Sequence, residues 1–476
     1  MPSLSALTAH LPPSPDEHVL LPRIQQALAE SERRLVVIDD DPTGTQTVHN
    51  VELLLSWDET ALAEVLAREP VFYLLTNSRS MPELEAFTLN KRTAQQLLAA
   101  GQRTQTDFVI ASRSDSTLRG HYPAEIVALE QGLGHAWDGH LIVPAFFEGG
   151  RYTINDTHYV ATPDATSDTL IPAHETPYAR DSAFGYSTAY LPAWIEEKSK
   201  GRWHAEQVVS LDLALIRNGG PEAVAQRLNT ITGGVPIVVN AASYGDLAVV
   251  VLGLLSAEAT GKRFGYRTAA SFVRLRGGII PRPLLSPQEI VGPHPVASGG
   301  LIVVGSYVPG STQQLTNLLT LPNVTGIELP VAAILQSEST AHALCTEIGQ
   351  RVSALLKQGR TGVIFTSRTV VPGSDSNDFL NIGRRISQAL IDTLQTIHTT
   401  PRFVIAKGGI TSHVVAQYGL GANRARVLGQ ISAGVPVWRL EQQTPARFAN
   451  IPYIVFPGNV GGPDSLKEAV QMLTGV

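Results

Sequence analysis

The sequence predicts an α/β protein of two domains, each a mainly parallel sheet flanked by helices. Three observations carry that expectation. Short β-branched runs alternate with helix-like stretches, polar clusters recur just after those runs, and a proline-rich break divides the chain. At 476 residues the chain is long enough for two or three domains of roughly 150 residues each. With 43% hydrophobic and only 16% charged residues it can bury large cores, so wholesale disorder is not expected.

Residues 1–33 read as an N-terminal extension in which no basic stretch leads into an apolar one, so no secretory signal is expected. Arg34–Asp39 (RLVVID) has the form of a buried strand that opens into an acidic loop and then Pro-Thr-Gly. Val71–Leu75 (VFYLL) leads into Thr76-Asn77-Ser78-Arg79, and a helical pattern follows over residues 82–100. Runs at 108–111, 140–143 and 235–240 repeat the theme, as do 300–305, Thr361–Thr366 and 402–406 further on. Between them, PRPLLSPQEIVGPHPVASGG fits neither the helical nor the strand period and reads as a linker. The expected organisation is a first domain over 34–280, a linker over 281–298 and a second domain over 299–476.

The charge balance is 36 Lys+Arg against 42 Asp+Glu, a net charge of −6, which argues against a nucleic-acid partner. The longest apolar run, 247–255, is too short for a bilayer, which takes about 18 residues. A cytoplasmic protein without a membrane segment is expected. The single cysteine, Cys345, lies in a helical pattern and reads as a buried small hydrophobe.

In open parallel sheets, ligands bind at the carboxyl ends of strands. The polar clusters fall there: Asp39-Asp40-Asp41, Asn77-Ser78-Arg79, Ser112-Arg113-Ser114-Asp115 and Lys407-Gly408-Gly409. Three consecutive carboxylates on an alternating backbone cannot all face one ligand, and their crowding raises proton affinity unless cations offset it. Two readings stand. Either the acidic run caps the next helix through Asp41 or Thr43, or one aspartate holds substrate hydroxyls and acts as general base, with Gly44 letting backbone come close. The segment from Arg113 to His121 adds Asp115, Ser116, Arg119 and Gly120, while Arg79, Arg151 and Arg180 flank similar polar turns. An arginine fork grips a carboxylate through two hydrogen bonds, so the set points to an acidic small-molecule substrate. For any one of these arginines, surface ion pairing is the plain alternative.

Glycine turns follow the later strands at Gly305-Ser306, at Gly408-Gly409-Ile410-Thr411 and at 457–462, and such turns can cradle phosphate. The chain has no G-x-x-x-x-G-K-[ST], no G-x-G-x-x-G after a strand, no H-E-x-x-H, no C-x-x-C pair and no G-x-S-x-G. P-loop, dinucleotide, zinc-hydrolase and ordinary serine-hydrolase chemistry therefore lack support. No metal-ligand set is read.

In this order, the motifs resemble those of the four-carbon acid sugar kinase family, from about residue 34 to the end. Asp40-Asp41-Pro42-Thr43-Gly44 is similar to that family's Asp-Asp-x-Thr-Gly opening, and Arg113 to Gly120 to its Lys-x-Asp-Ser-Thr-Leu-Arg-Gly. Pro144-Ala145-Phe146 through Gly150-Arg151, and Thr176-Pro177 through Asp181, look like two further motifs. In the second half Gly305-Ser306, Gly408-Gly409-Ile410-Thr411, Gly434-Val435-Pro436 and the 456–461 stretch match in turn. Arg113 stands where the family usually has lysine. Phe456 replaces another family lysine, so no phosphate contact is expected from that position.

The resemblance implies a sugar-acid-binding N-terminal domain, a nucleotide-binding C-terminal domain and an active site in the cleft between them, closing to exclude water. It implies an ATP-dependent kinase acting on a terminal hydroxyl of threonate, erythronate, a 3-oxo-tetronate or 3-oxo-isoapionate, with Mg²⁺ bridging the ATP phosphates. Under that reading Asp40, Asp41 and Asp115 are the catalytic candidates. Arg79, Arg113, Ser116, Arg119 and Arg151 hold substrate, and Ser306, Gly408, Gly409, Ile410, Thr411 and Gly458 hold nucleotide. A homodimer is the assembly favoured. The rival reading is a non-catalytic sugar-acid-binding protein or sensor, favoured by Phe456; a nicotinamide-linked dehydrogenase would need the missing dinucleotide fingerprint.

Overall fold

A computed structural model describes residues 2–162, 169–292, 297–306, 308–368, 376–441, 444–458 and 460–475. The chain forms two compact units, Met1–Val48 with Trp57–Pro281, and His49–Ser56 with Arg282–Val476.

Among the described residues, the main sheet of the first unit is wholly parallel. Its strands run in the order Val71–Leu75, Arg34–Asp39, Phe108–Arg113, Phe264–Thr268, Gly139–Val143, Val235–Val239, Val209–Leu211. Apolar runs such as VVI and VFYLL are buried along their whole length, as strands covered by helices on a parallel sheet require. The chain leaves Arg34–Asp39 for Val71–Leu75 on one side, then crosses through the helix Glu83–Thr104 to Phe108–Arg113 on the other. The carboxyl ends of Arg34–Asp39 and Phe108–Arg113 therefore flank a reversal of strand order, the place where an open sheet leaves a crevice. A small antiparallel sheet, Arg151–Ile154, Thr157–Ala161 and Leu170–Pro172, carries Arg151 at the start of its first strand.

The apolar run 247–255 belongs to the helix Tyr244–Ala259, which is buried almost all round and packs against the helices Leu213–Asn229 and Glu17–Ser31. Residues 1–33 thus hold a core-covering helix, tied down further by the ion pair of Glu17 with the buried Arg274 at 2.7 Å. No helix among the described residues is long and apolar enough to cross a membrane.

In the second unit a parallel set, Val324–Leu329, Thr361–Thr366, Leu301–Val304, Val404–Lys407 and Pro452–Phe456, continues into antiparallel Val435–Leu440, Arg424–Ser432 and Val51–Leu54. Here the order reverses between Leu301–Val304 and Val404–Lys407. Ile302, Val304, Ile405, Ile454 and Phe456 pack with Leu466 and Val470 in its core. Cys345 lies buried in the helix Glu338–Lys357, its Sγ donating to the Ala389 carbonyl at 3.3 Å.

Pro281 closes the first unit and Arg282 opens the second, and Pro287–Val291 within the proline-rich stretch is a short helix started by a Ser286–Glu289 capping box. The segment His49–Ser56 belongs with the second unit, although its sequence neighbours lie in the first. The cause is a ladder between Val51–Leu54 and Arg424–Ser432, reinforced by the buried Glu52, which pairs with Arg424 at 3.4 Å and Arg426 at 3.3 Å. A buried carboxylate without those guanidinium groups would be costly.

Candidate functional site

At the carboxyl end of Arg34–Asp39 the chain passes through Asp40 and Asp41 into the turn Pro42–Thr45. Asp41 caps that turn: its Oδ1 accepts from the Thr43 amide at 2.8 Å and from the Thr43 hydroxyl at 2.5 Å. Its other oxygen faces Arg79 Nη1 at 3.4 Å. Asp40 is more firmly held. It receives the Arg79 fork at 2.6 and 3.1 Å and the Ser114 hydroxyl at 2.8 Å, so it anchors Arg79 with both oxygens in use. Arg79 Nη1 also lies 3.6 Å from Asp115 Oδ1, and one guanidinium thus gathers all three aspartates expected to be catalytic.

The remaining predicted residues divide into buried support and open face. Arg113 is buried, 3.3 Å from Asp39 and 3.9 Å from Asp40, in the role of an internal counter-ion. Arg119 donates to Asp115 at 2.8 Å and stands 3.5 Å from Asp181. The Ser116 carbonyl accepts from His158 Nε2 at 2.7 Å. Burial pushes His158 down to about 4, so this imidazole is neutral near pH 7. Arg151 differs from the other three arginines in making no ion pair among the described residues; its Nε, like that of Arg113, is buried without a hydrogen-bond partner. Its guanidinium lies 5.9 Å from the centre of the Tyr178 ring, and that of Arg119 lies 5.1 Å from the same ring.

These contacts sort the carboxylates by proton affinity. Burial alone would raise Asp41 and Asp115, but Arg79 acts on both, with Arg113 and Thr43 on the first and Arg119 and Thr117 on the second. Both carboxyls end below the usual carboxylate range. Asp39 goes the other way. Burial, with Asp40 and Asp41 adding, outweighs Arg113 and pushes it up to about 7. Its Oδ2 is buried without a partner, against Gly44, where a Cβ would stand 1.7 Å from that oxygen. Gly44 is therefore glycine to make room for Asp39, where the sequence reading had it making room for a ligand.

Sequence reasoning missed Glu125 and Arg267. Ser78 donates to Glu125 at 2.5 Å, and burial raises the Glu125 carboxyl. Arg267 donates to the Arg119 carbonyl at 3.1 Å and lies against the rings of Tyr122 and Trp194. Each is a lone charge in an otherwise apolar or small-residue stretch, and that was their only signal. Tyr178 and Asp181 lay inside a motif already noticed.

In the second unit the predicted nucleotide residues meet at the reversal of strand order. The Ser311 hydroxyl donates to Ser306 Oγ and to the Gly458 carbonyl, both at 3.1 Å, and the Ser306 amide reaches the Lys407 carbonyl at 3.4 Å. Gly408 has φ +113°, and a Cβ there would come within 3.1 Å of Ser306 Cβ. The Thr411 hydroxyl fills the space where a Gly305 side chain would be. Gly409 opens the helix Gly409–His413, on which Ile410 is exposed. Arg368 donates to the carbonyls of Ser306, Thr366 and Val304. Phe456 is wholly buried, and Asn459 of the late motif lies outside the described residues. Among the described residues no group of three or more His, Cys, Asp or Glu side chains is placed to hold a metal ion.

Residues 35–276 match a family model described as a sugar-binding N-terminal domain, and residues 301–466 match a nucleotide-binding C-terminal domain. A solved chain from Salmonella typhimurium LT2, labelled provisionally a tRNA synthase, is similar at 16% identity and a TM-score of 0.65, covering 92% of this chain and 98% of that one. A Haemophilus influenzae protein assigned to DUF1537 is similar at 19% identity and a TM-score of 0.58, covering 92% and 100%. At such identities the likeness is one of fold. No match is found among curated proteins. With both halves matched, in the order in which the motifs run, the chain belongs to the four-carbon acid sugar kinase family.

Proposed function

We propose that the protein is an ATP-dependent kinase that phosphorylates a terminal hydroxyl of a small sugar acid of the threonate, erythronate, 3-oxo-tetronate or 3-oxo-isoapionate type. The observation that carries this reading is the sorting of charge in the first unit. Arg79, Arg113 and Arg119 are each engaged by aspartates, whereas Arg151 has none among the described residues. A substrate carboxylate supplies the anion that this fork lacks.

Asp41 and Asp115 are held anionic, each with one oxygen only loosely approached by Arg79, and these oxygens accept hydrogen bonds from substrate hydroxyls. In the transfer, the bond from the acceptor oxygen to the γ-phosphorus forms as the bond from that phosphorus to ADP breaks. The hydroxyl proton passes to the aspartate cluster, in which Asp39, at about 7, is the member able to store it at neutral pH.

Ser306, Gly408, Gly409, Ile410, Thr411 and Gly458 would receive the nucleotide. The fit rests on the cradle left by Gly408 and Gly458, where a Cβ would meet Ser306 at 3.1 and 3.2 Å. Mg²⁺ carried on the phosphates would supply charge neutralisation, the main need of phosphoryl transfer beyond positioning. The other reading, a sugar-acid-binding protein without catalysis, draws on Phe456 alone.

The test is ADP release with Mg-ATP across four- and five-carbon sugar acids and their 3-oxo forms. Turnover on one of them supports the kinase and names its substrate. Sugar-acid binding with no turnover on any member would favour the binding protein.

A further inference from the structure

We propose that Lys407 is a positioning residue of the nucleotide site, its ammonium holding the Pro457–Gly458 turn and lending positive charge through that turn to bound phosphates. The inference rests on the kinase reading for its ligand, and it goes beyond it in naming the charge.

Lys407 ends the strand Val404–Lys407 and is 0% exposed. Its Nζ donates to the Pro457 carbonyl at 2.5 Å, approaches the Gly458 carbonyl at 3.4 Å, and stands 4.4 Å from the centre of the Phe456 ring. Phe456 is its register partner on the neighbouring strand Pro452–Phe456. On the other side its partner is Val304, whose carbonyl is taken by the guanidinium of Arg368 from beyond the strand Thr361–Thr366. On the overlying helix Gly409–His413 the titratable group is His413, whose ring packs edge-on against Tyr418. No carboxylate pairs with Lys407 among the described residues.

An ammonium that has given up water for two carbonyls and a ring face is poorly compensated, and burial alone depresses Lys407 to about 7. The Gly458 carbonyl that it approaches also takes the Ser311 hydroxyl, which in turn bonds Ser306. The network Lys407–Gly458–Ser311–Ser306 thus joins a cation lacking an anion to two residues expected to touch nucleotide. A polyanion at Ser306 and Gly458 favours the charged form of the lysine, so nucleotide binding and Lys407 protonation are linked. Binding above neutral pH takes up a proton, and affinity falls as pH rises past the free-state value.

The experiment is calorimetric titration of the full chain with Mg-ADP at pH 8 in two buffers of different ionisation enthalpy, repeated with Lys407→Met. The wild-type protein should take up close to one proton per ADP, about 0.9 for a group that moves from near 7 to well above 8. Its affinity should weaken by at most about tenfold per pH unit between pH 7 and 9. Lys407→Met, of similar length and apolar, should bind ADP more weakly at pH 7, with no proton uptake and a flat pH profile. Wild-type binding without proton uptake overturns the inference and leaves the nucleotide reading standing; this measurement needs no variant to fold. Equal uptake by the variant also overturns it. No binding of ADP to the wild-type protein overturns both.

Discussion

Replacing Arg151 with methionine removes a guanidinium that makes no ion pair among the described residues. Among the described residues Arg151 has no carboxylate partner, its Nε is a buried donor left unsatisfied, and its guanidinium lies against the Tyr178 ring at 5.9 Å. That contact contributes about 0.5–1 kcal/mol, and relief of the unsatisfied donor offsets it by a similar amount or more. Arg151→Met should therefore leave the melting temperature within about 3 °C of wild type. Its effect on substrate should be large. A charge-assisted hydrogen bond to a carboxylate contributes about 1.5–3 kcal/mol, which is a rise of roughly 10- to 150-fold in KM for the sugar acid. Arg79→Met should behave in the opposite sense. It strands Asp40, Asp41 and Asp115, which Arg79 reaches at 2.6, 3.4 and 3.6 Å, and breaking such a buried network costs about 3–5 kcal/mol. The assay is a pair of melting curves with ADP-release kinetics against varied sugar acid. If Arg151→Met melts as early as Arg79→Met, or binds the sugar acid as tightly as wild type, the assignment of Arg151 to the substrate carboxylate is wrong.

Three further outcomes are expected. Asp115→Asn should cut turnover on the order of 100-fold by misplacing Arg119 and the hydroxyl acceptor, with the dissociation constant for ADP unchanged within about twofold; parallel losses of both would count against it. Gly408→Ala should weaken ADP binding by about tenfold or more and leave sugar-acid binding intact, because a Cβ at φ +113° is strained and presses on Ser306; unchanged ADP affinity by calorimetry would refute this. Asp39 binds its proton more tightly when folded, at about 7, than its ordinary value of 3.8. The stability this contributes is complete below about pH 4 and lost as pH rises through 7. The melting temperature of Asp39→Asn relative to wild type should accordingly climb between pH 5 and pH 8, and a constant difference would show that Asp39 is not shifted.

Much of this protein is set by local sequence. Short unbroken apolar runs between helical patterns produced the strands Arg34–Asp39, Val71–Leu75 and Thr361–Thr366 at the expected bounds, because burial on both faces of a parallel sheet demands apolar residues throughout. The polar clusters after those strands were equally legible, since ligands meet a parallel sheet at its carboxyl ends. Tertiary structure decided what each polar residue does. Asp40 and Arg113 looked equivalent to Asp115 and Arg151 in the sequence, yet the first pair is buried as support and the second lies at the more open face. That division follows from how the strands and their loops pack, which residue type and spacing do not encode. The pairing of Val51–Leu54 with Arg424–Ser432 and the register of Lys407 against Phe456 are likewise non-local. A strand's own residues specify that it will pair, whereas its partner is chosen by hydrogen bonding and burial across the finished sheet.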